Sequence, residues 1–325
     1  MSTAHFAWPS DKNEPHVTKR RNENQARQRD GFQKIRRLDI MQAMQKQLEL
    51  LKKYEISVRG VRGQHFLIDP NIQRKIVSLV DPKPSDLIVE IGPGLGALTQ
   101  ELLLSGARVL AIEMDGRFCE ILKSEYHDLK NLTVVQSDIL SLSLERLLQK
   151  HAGRLASKCK VVGNIPYYIT SPILLFLISF RRIIDQATLM IPKEILNRLL
   201  AQPGTKDYGR LTLLARFYFE IERTFPVSRN CFSPKPRVDS NVIQLSFHGK
   251  EPQVNETQFF EIVKHAFGQR RKNILNALSH GYKNVCSKEK IEAALHASGI
   301  KPTQRGEELL LKDFLKLAEV LGNYK

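Results

Sequence analysis

Five short runs rich in β-branched and apolar residues follow one another from residue 87: LIVE (Leu87–Glu90), RVLAIE (Arg108–Glu113), LTVVQ (Leu132–Gln136), KVVG (Lys160–Gly163) and ATLMI (Ala187–Ile191). Each is separated from the next by a stretch of helical pattern. Strands that alternate with helices at this spacing specify a parallel, doubly wound α/β sheet. Because helices cover both faces of such a sheet, its strands read as nearly unbroken apolar runs rather than as alternating ones. Two further β-like runs, Phe217 to Phe225 and Asn241 to Phe247, have no long helix between them and are expected as an antiparallel pair at the sheet's edge. From Glu251 the periodicity is helical only, with Phe259, Ile262, Val263 and Phe267, then Ile274 and Leu278, then Ile291 and Leu295, then Leu309 to Leu321.

The expected division is therefore a basic N-terminal extension over 1–50, an α/β domain over 51–249 and a small helical domain over 250–325. Residues 1 to about 30 carry Lys19, Arg20 and Arg21 and almost nothing to bury, which reads as a disordered arm. Ile35, Leu38, Met41, Met44 and Leu48 then recur at helical spacing between Phe32 and Tyr54, so a short amphipathic helix is expected there, to clamp the main domain or to touch RNA.

The chain has 50 Lys and Arg against 34 Asp and Glu, a net charge of +16, which suits a polyanionic partner such as nucleic acid, a ribosome or an anionic membrane surface. Cys119, Cys159, Cys231 and Cys286 lie far apart with no C-x-x-C pair, so they are expected as reduced core residues, and no metal site is expected. The longest apolar run, Pro172 to Phe180, falls well short of the roughly 18 residues of a membrane span and is followed by Arg181 and Arg182. No apolar leader opens the chain, so a cytoplasmic location is expected.

Directly after the first strand, Glu90-Ile-Gly92-Pro-Gly94-Leu-Gly96 leads into a helix-like run. Glycines at a strand-to-helix turn remove Cβ atoms where a ligand must approach the backbone. About 20 residues on, Glu113 ends the second strand, where a carboxylate can accept hydrogen bonds from both hydroxyls of a ribose. The glycine spacing differs from the dinucleotide fingerprint, and Pro93 stands where a pyrophosphate needs free amides, which favours S-adenosylmethionine over NAD. Asp138, after the third strand, either caps a turn or accepts from an adenine amine.

The fourth strand ends in Gly163-Asn164-Ile165-Pro166-Tyr167-Tyr168, and the carboxyl ends of the strands are where open α/β sheets bind ligands. An exocyclic base amine is a poor nucleophile, since its lone pair is delocalised into the ring. The side-chain oxygen of Asn164 and a neighbouring backbone carbonyl can accept its two N–H bonds and favour the geometry of attack. Tyr167 offers a flat face to an unstacked base. The two strand ends together point to methylation of a base amine, with alignment as the protein's main contribution.

At this point the sequence resembles the ribosomal RNA adenine-N6 dimethyltransferases, in particular the small-subunit branch called KsgA in bacteria. RGQHFL (Arg62 to Leu67) resembles the family's leading motif, Glu90 to Gly96 with Glu113 and Asp138 its cofactor motifs, and Asn164 to Tyr167 its catalytic loop. FSPKPRVDS (Phe232 to Ser240) is similar to the segment whose aromatic residue helps hold the target base, and QRRKNILNAL (Gln269 to Leu278) to the start of its helical domain. The resemblance implies a Rossmann-like class I methyltransferase sheet with a helical C-terminal domain. It implies that His65, Leu67, Gly92, Glu113, Asp138 and Asn164 contact S-adenosylmethionine, and that Asn164, Tyr167 and Phe232 hold the adenine. Phe232 also reads as a core anchor, and Arg270, Arg271 and Lys272 either meet phosphates or form a solvated helix face. His65 stands where bacterial members commonly have Asn, which confines its expected cofactor contact to the backbone. The implied activity is N6-dimethylation of two adjacent adenosines near the 3′ end of small-subunit (16S) rRNA, by a monomer acting on a pre-ribosomal particle in ribosome biogenesis. The alternatives are a large-subunit rRNA dimethyltransferase, a DNA adenine methyltransferase and a catalytically silent RNA-binding assembly factor of the same fold.

Overall fold

The computed structural model of the chain describes residues 49–56, 65–152, 158–249 and 254–322. Two compact units are present, Met1–Glu55 and Ile56–Lys325. In the first, residues 49–53 are helical. The basic arm and the rest of the amphipathic helix expected ahead of them lie outside the described residues.

In the second unit, strands β2 (Leu87–Ile91), β3 (Arg108–Glu113), β4 (Leu132–Gln136), β5 (Cys159–Asn164) and β6 (Ile184–Pro192) are parallel, as their apolar runs dictate. With β7 (Phe219–Val227) and β9 (Ser240–Phe247) they form one seven-stranded sheet in the order β4-β3-β2-β5-β6-β9-β7. The antiparallel pair thus sits at the edge, with β9 inserted between β6 and β7. Pro226 lies in β7, the outermost strand, where a missing N–H is tolerated. Phe217 and Tyr218 belong not to that strand but to the preceding helix, because the Phe217 ring stacks on Phe259 at 4.5 Å. A separate two-stranded sheet pairs β1 (Phe66–Leu67) with β8 (Phe232–Ser233).

Helices α1 (Pro70–Val80), α2 (Ala97–Leu104) and α3 (Gly116–Glu125) contribute to one face of the sheet, and α4 (Leu144–Ala152), α5 (Thr170–Ser179), α6 (Lys193–Leu200) and α7 (Arg210–Tyr218) to the other. Strand β2 shows why its sequence does not alternate. Ile88 joins the apolar cluster of α1 and α2, while Leu87, Val89 and Ile91 join the opposite one, so every position is buried. The helices α8 (Glu256–Gly268), α9 (Ile274–Gly281), α10 (Lys288–Ala297) and α11 (Leu311–Gly322) bury Phe259, Leu278, Leu295 and Phe314 in the same cluster as α5 to α7. Asn255, Asn273 and Ser287 cap three of them through their side chains. Glu256 of α8 accepts from Arg181 at 2.8 Å and from the Tyr218 hydroxyl at 2.6 Å, tying this segment to the sheet's flank.

The order of the strands places the site. The chain runs outward from β2 through β3 to β4, then crosses back to β5 on β2's other side, so the switch point lies between β2 and β5. Ile91 pairs with Gly163, which sets Gly92 and Asn164 side by side as the two strands end. At Gly96 (φ +81°), which caps α2, an added Cβ would lie 2.9 Å from Leu122 Cδ2 and from the Tyr126 ring. Gly96→Ala should therefore lower unfolding stability by about 2 to 4 kcal/mol, combining left-handed backbone strain with overpacking. Urea denaturation checks this, and a loss under about 0.5 kcal/mol would mean that the turn relaxes freely.

Candidate active site

The glycine turn after β2 is divided in its demands. A Cβ at Gly94 would press on the Phe66 ring at 3.2 Å, whereas at Gly92 (φ +64°) it would meet nothing within 4 Å. Gly92 therefore faces open space at the switch point, as a backbone cradle must. Beside it, Glu113 is 6% exposed, and its two carboxylate oxygens accept from the Gly94 N–H at 3.1 Å and the Asp115 N–H at 2.9 Å. Burial pushes this carboxyl above the ordinary range, although those backbone donors pull it back down. A carboxylate has about four lone-pair sites, and with the Gly94, Asp115 and Met114 N–H groups acting on this one, acceptor capacity is left for a ribose hydroxyl. Asp138 is exposed at the end of β4, where one oxygen caps the following 3₁₀ turn through Leu140 N–H at 2.9 Å. The cap uses one of its two oxygens and leaves the other as an acceptor.

Two neighbours were not singled out by sequence. Met114, directly after Glu113, is 49% exposed, and Leu140, just past Asp138, is 39% exposed. Apolar side chains left in solvent at adjacent strand ends offer a flat ligand two greasy contacts. The signal was present as an apolar residue next to each acidic one, but nothing in a sequence marks such a residue as uncovered.

A second buried carboxylate, Glu90, is 1% exposed and accepts from the Thr99 hydroxyl at 2.6 Å. Burial, helped by the charge of Glu113, pushes it up from 4.5 to about 7. The folded protein thus holds this proton more tightly than the unfolded chain. The resulting stability is present below pH 4.5 and is lost as pH rises through about 7. Glu90→Gln keeps an acceptor for Thr99 and removes the charge, so it should match the parent near pH 5 and exceed it at pH 8 by on the order of 2 to 3 kcal/mol. Thermal melts at the two pH values check this, and parallel curves would refute it.

On the other side of the switch point, Asn164 ends β5 with its amide oriented. Its Nδ2 donates to the His65 carbonyl at 2.9 Å, which leaves Oδ1 as the group to accept from a substrate. Tyr167, in the 3₁₀ turn Tyr167–Ile169, is half-buried, and its hydroxyl bonds Ser240 Oγ at 3.0 Å and donates to Val238 O at 3.4 Å. Its neighbour Tyr168 is 63% exposed. His65 sits between these parts, with its Nδ1 donating to the Pro234 carbonyl at 2.7 Å and its ring 6.0 Å from that of Tyr167. Leu67 and Phe232 are paired across β1 and β8 and are 2% and 5% exposed, packed in the cluster of α1 and α2. The structure thus brings Gly92, Glu113, Asn164, His65 and Tyr167 to one end of the sheet and seats Phe232 in the core beside them. Arg270 is taken up by Glu307 at 2.8 Å and by the Lys206 and Tyr208 carbonyls, while Arg271 and Lys272 are exposed.

Among the described residues no cluster of three or more His, Cys, Asp and Glu side chains could hold a metal ion, and no helix is long and apolar enough to cross a membrane. An activated-group donor held by the Gly92 side and an amine held by Asn164 would meet at the switch point.

Known proteins share this layout. A relative from Moorella thermoacetica, a ribosomal RNA small subunit methyltransferase A, is 42% identical over 282 residues, 84% of this chain and 96% of its own. The protein of the same name from Geobacillus kaustophilus is 40% identical over 280 residues, 84% and 94% of the two chains. Among solved structures, a dimethyladenosine transferase from Plasmodium falciparum superposes with a TM-score of 0.67 at 28% identity, covering 78% of this chain and 96% of its own. The 23S rRNA methyltransferase ErmE superposes with a TM-score of 0.58 at 27% identity, covering 79% and 99%. The profile of the ribosomal RNA adenine dimethylases matches residues 55–322, which take in the glycine turn, Glu113, Asn164 and the four C-terminal helices, and the chain belongs to that family.

Proposed function

We propose that this protein transfers methyl groups from S-adenosylmethionine to N6 of two adjacent adenosines near the 3′ end of small-subunit (16S) rRNA during ribosome biogenesis. The carrying observation is the anchoring of Asn164: its amide donates to the His65 carbonyl, and its oxygen is the side chain's acceptor for an incoming amine. The residues at the Gly92 side fit the cofactor, since Gly92 leaves room for it, Glu113 has acceptor capacity for its ribose, and Met114 and Leu140 offer apolar contact to its adenine. When bound, S-adenosylmethionine supplies an activated methyl group.

The chain's own part is alignment. Asn164 Oδ1 and a neighbouring backbone carbonyl accept the two N–H bonds of the target amine, which turns its lone pair toward the methyl group, and Tyr167 stacks on the base. As the N–C bond forms, the methyl group's bond to sulfur breaks and its electron pair leaves with sulfur as a neutral thioether, while the amine proton passes to water, so no strong base is needed. Well-oriented reactions of this kind gain about 7 to 11 kcal/mol from positioning alone.

Both curated relatives described above are named for the small ribosomal subunit, which supports 16S rRNA over 23S rRNA. The net charge of +16 suits a polyanionic pre-ribosomal particle; we take the protein to be a cytoplasmic monomer, with residues 51–249 as catalytic domain and 250–325 as a helical domain that reads RNA shape. Intact Glu113 and Asn164 weigh against a silent assembly factor. Incubation with labelled S-adenosylmethionine and undermethylated 30S particles should give N6-dimethyladenosine in 16S rRNA. Label on 23S rRNA instead would move the protein to the large-subunit branch, label on duplex DNA would make it a DNA methyltransferase, and no cofactor binding by calorimetry would leave the assembly-factor reading.

A further inference from the structure

In the antiparallel pairing of β1 with β8, Leu67 faces Phe232 and Phe66 faces Ser233, so the next rung would join residue 65 to residue 234. Ile68 N–H donates to the Cys231 carbonyl, and since bonded and non-bonded pairs alternate, 65/234 is a pair without backbone hydrogen bonds; here the side chain of His65 supplies the link, its Nδ1 donating to the Pro234 carbonyl at 2.7 Å. Beyond Pro234 the chain runs to Ser240, where β9 begins, and this stretch supplies both partners of the Tyr167 hydroxyl, the Val238 carbonyl and Ser240 Oγ. Its far end is fastened independently, since Asp239 accepts from Arg229 N–H and its carbonyl from Lys193 N–H. The near end follows directly from the Phe66–Ser233 pair, and at Pro234 itself the imidazole is the fastening.

We propose that the His65 side chain is a positioning residue for the target base: by bonding the Pro234 carbonyl just beyond the β1–β8 pairing it fixes the 234–240 loop, and through that loop the plane of Tyr167. This rests on the reading of Tyr167 as the surface on which the adenine stacks. The ring is not itself a second stacking plate. A base between two rings needs about 7 Å, two contacts of about 3.5 Å each, and the His65 and Tyr167 rings are 6.0 Å apart with a 36° tilt. Nor does the ring's anchored face serve the cofactor, because Nδ1 is engaged by Pro234 and the backbone carbonyl of the same residue by Asn164. His65 therefore joins the two halves of the site, its main chain orienting Asn164 and its side chain orienting Tyr167.

The test compares His65→Leu, which loses the donor, with His65→Asn, whose Nδ2 lies the same number of bonds from Cα as the histidine Nδ1. His65→Leu should lower kcat on 30S particles about tenfold, as small misplacements near reacting groups do, while the Kd for S-adenosylmethionine stays within about twofold. His65→Asn should recover most of the lost kcat. Because His65 and Ser240 act on the same tyrosine, the His65→Leu/Ser240→Ala double variant should lose less than the product of the single losses. Loss of cofactor affinity with kcat unchanged, failure of His65→Asn to recover, or fully multiplicative losses would each overturn the proposal. Should His65→Leu not fold, His65→Gln takes its place: its amide is one methylene too long, so it should be impaired where His65→Asn is not, and equal activities of the two would overturn the proposal. If the parent protein itself fails to methylate 30S particles, the reading of function falls instead.

Discussion

Asn164→Ala should reduce kcat on undermethylated 30S particles by about 10²- to 10³-fold, the loss seen when a single preoriented dipole is removed from where charge develops. In the proposed reaction the amine nitrogen becomes positive as it takes the methyl group and Asn164 Oδ1 is its acceptor, on a side chain whose amide donates to the His65 carbonyl at 2.9 Å. Tyr167→Ala removes a stacking surface worth about 1 to 3 kcal/mol, or roughly five- to 150-fold, so the asparagine is expected to be the more damaging loss. Asn164→Asp separates orientation from acceptance. It keeps an acceptor but sets a carboxylate against the His65 carbonyl in place of a donor, so its activity should fall between the parent and Asn164→Ala. Single-turnover measurements with labelled cofactor give these values, and a kcat for Asn164→Ala within about tenfold of the parent would remove Asn164 as the amine acceptor.

The sheet was legible because burial on both faces leaves a distinctive trace: in β2, Ile88 serves one apolar cluster and its neighbours the other, and the whole run reads as apolar. The placement of the candidate site residues was legible for a related reason, since residues at the strand ends of such a sheet directly follow the strands in sequence. Legibility stopped where contacts are long-range or where a short aromatic run suits either a helix or a strand. Phe217 and Tyr218 extend the apolar run that becomes β7, and only the stacking of Phe217 on Phe259 shows that they complete a helix instead. Ser240 carries no mark in sequence as the partner of Tyr167, 73 residues away, nor does Pro234 as the partner of His65, 169 residues away. Phe232 followed by prolines suits a loop that presents a ring and equally one that buries it; the fold buries it, by pairing it with Leu67.

Glu113→Ala should weaken S-adenosylmethionine binding about 100-fold or more, because each hydrogen bond from a ribose hydroxyl to a carboxylate contributes about 1.5 to 3 kcal/mol. Two effects on the free protein oppose each other: the variant relieves the burial of a carboxylate that is 6% exposed, and it leaves the Gly94 and Asp115 N–H groups without their acceptor. The melting temperature of the free variant therefore says little about ligand binding, and the ligand-induced shift is the informative quantity. At a cofactor concentration 100 times the parent's Kd, linkage gives the parent about 2.7 kcal/mol of added stability, and a 100-fold weaker variant only about 0.4 kcal/mol at the same concentration. The thermal shift on adding cofactor should thus nearly vanish in Glu113→Ala while remaining intact in Tyr167→Ala, whose proposed contribution is to the base. If both variants keep the full shift, Glu113 does not hold the ribose, and the open space beside Gly92 serves another ligand; if both lose it, the cofactor and base halves of the site are not separable at the switch point between β2 and β5.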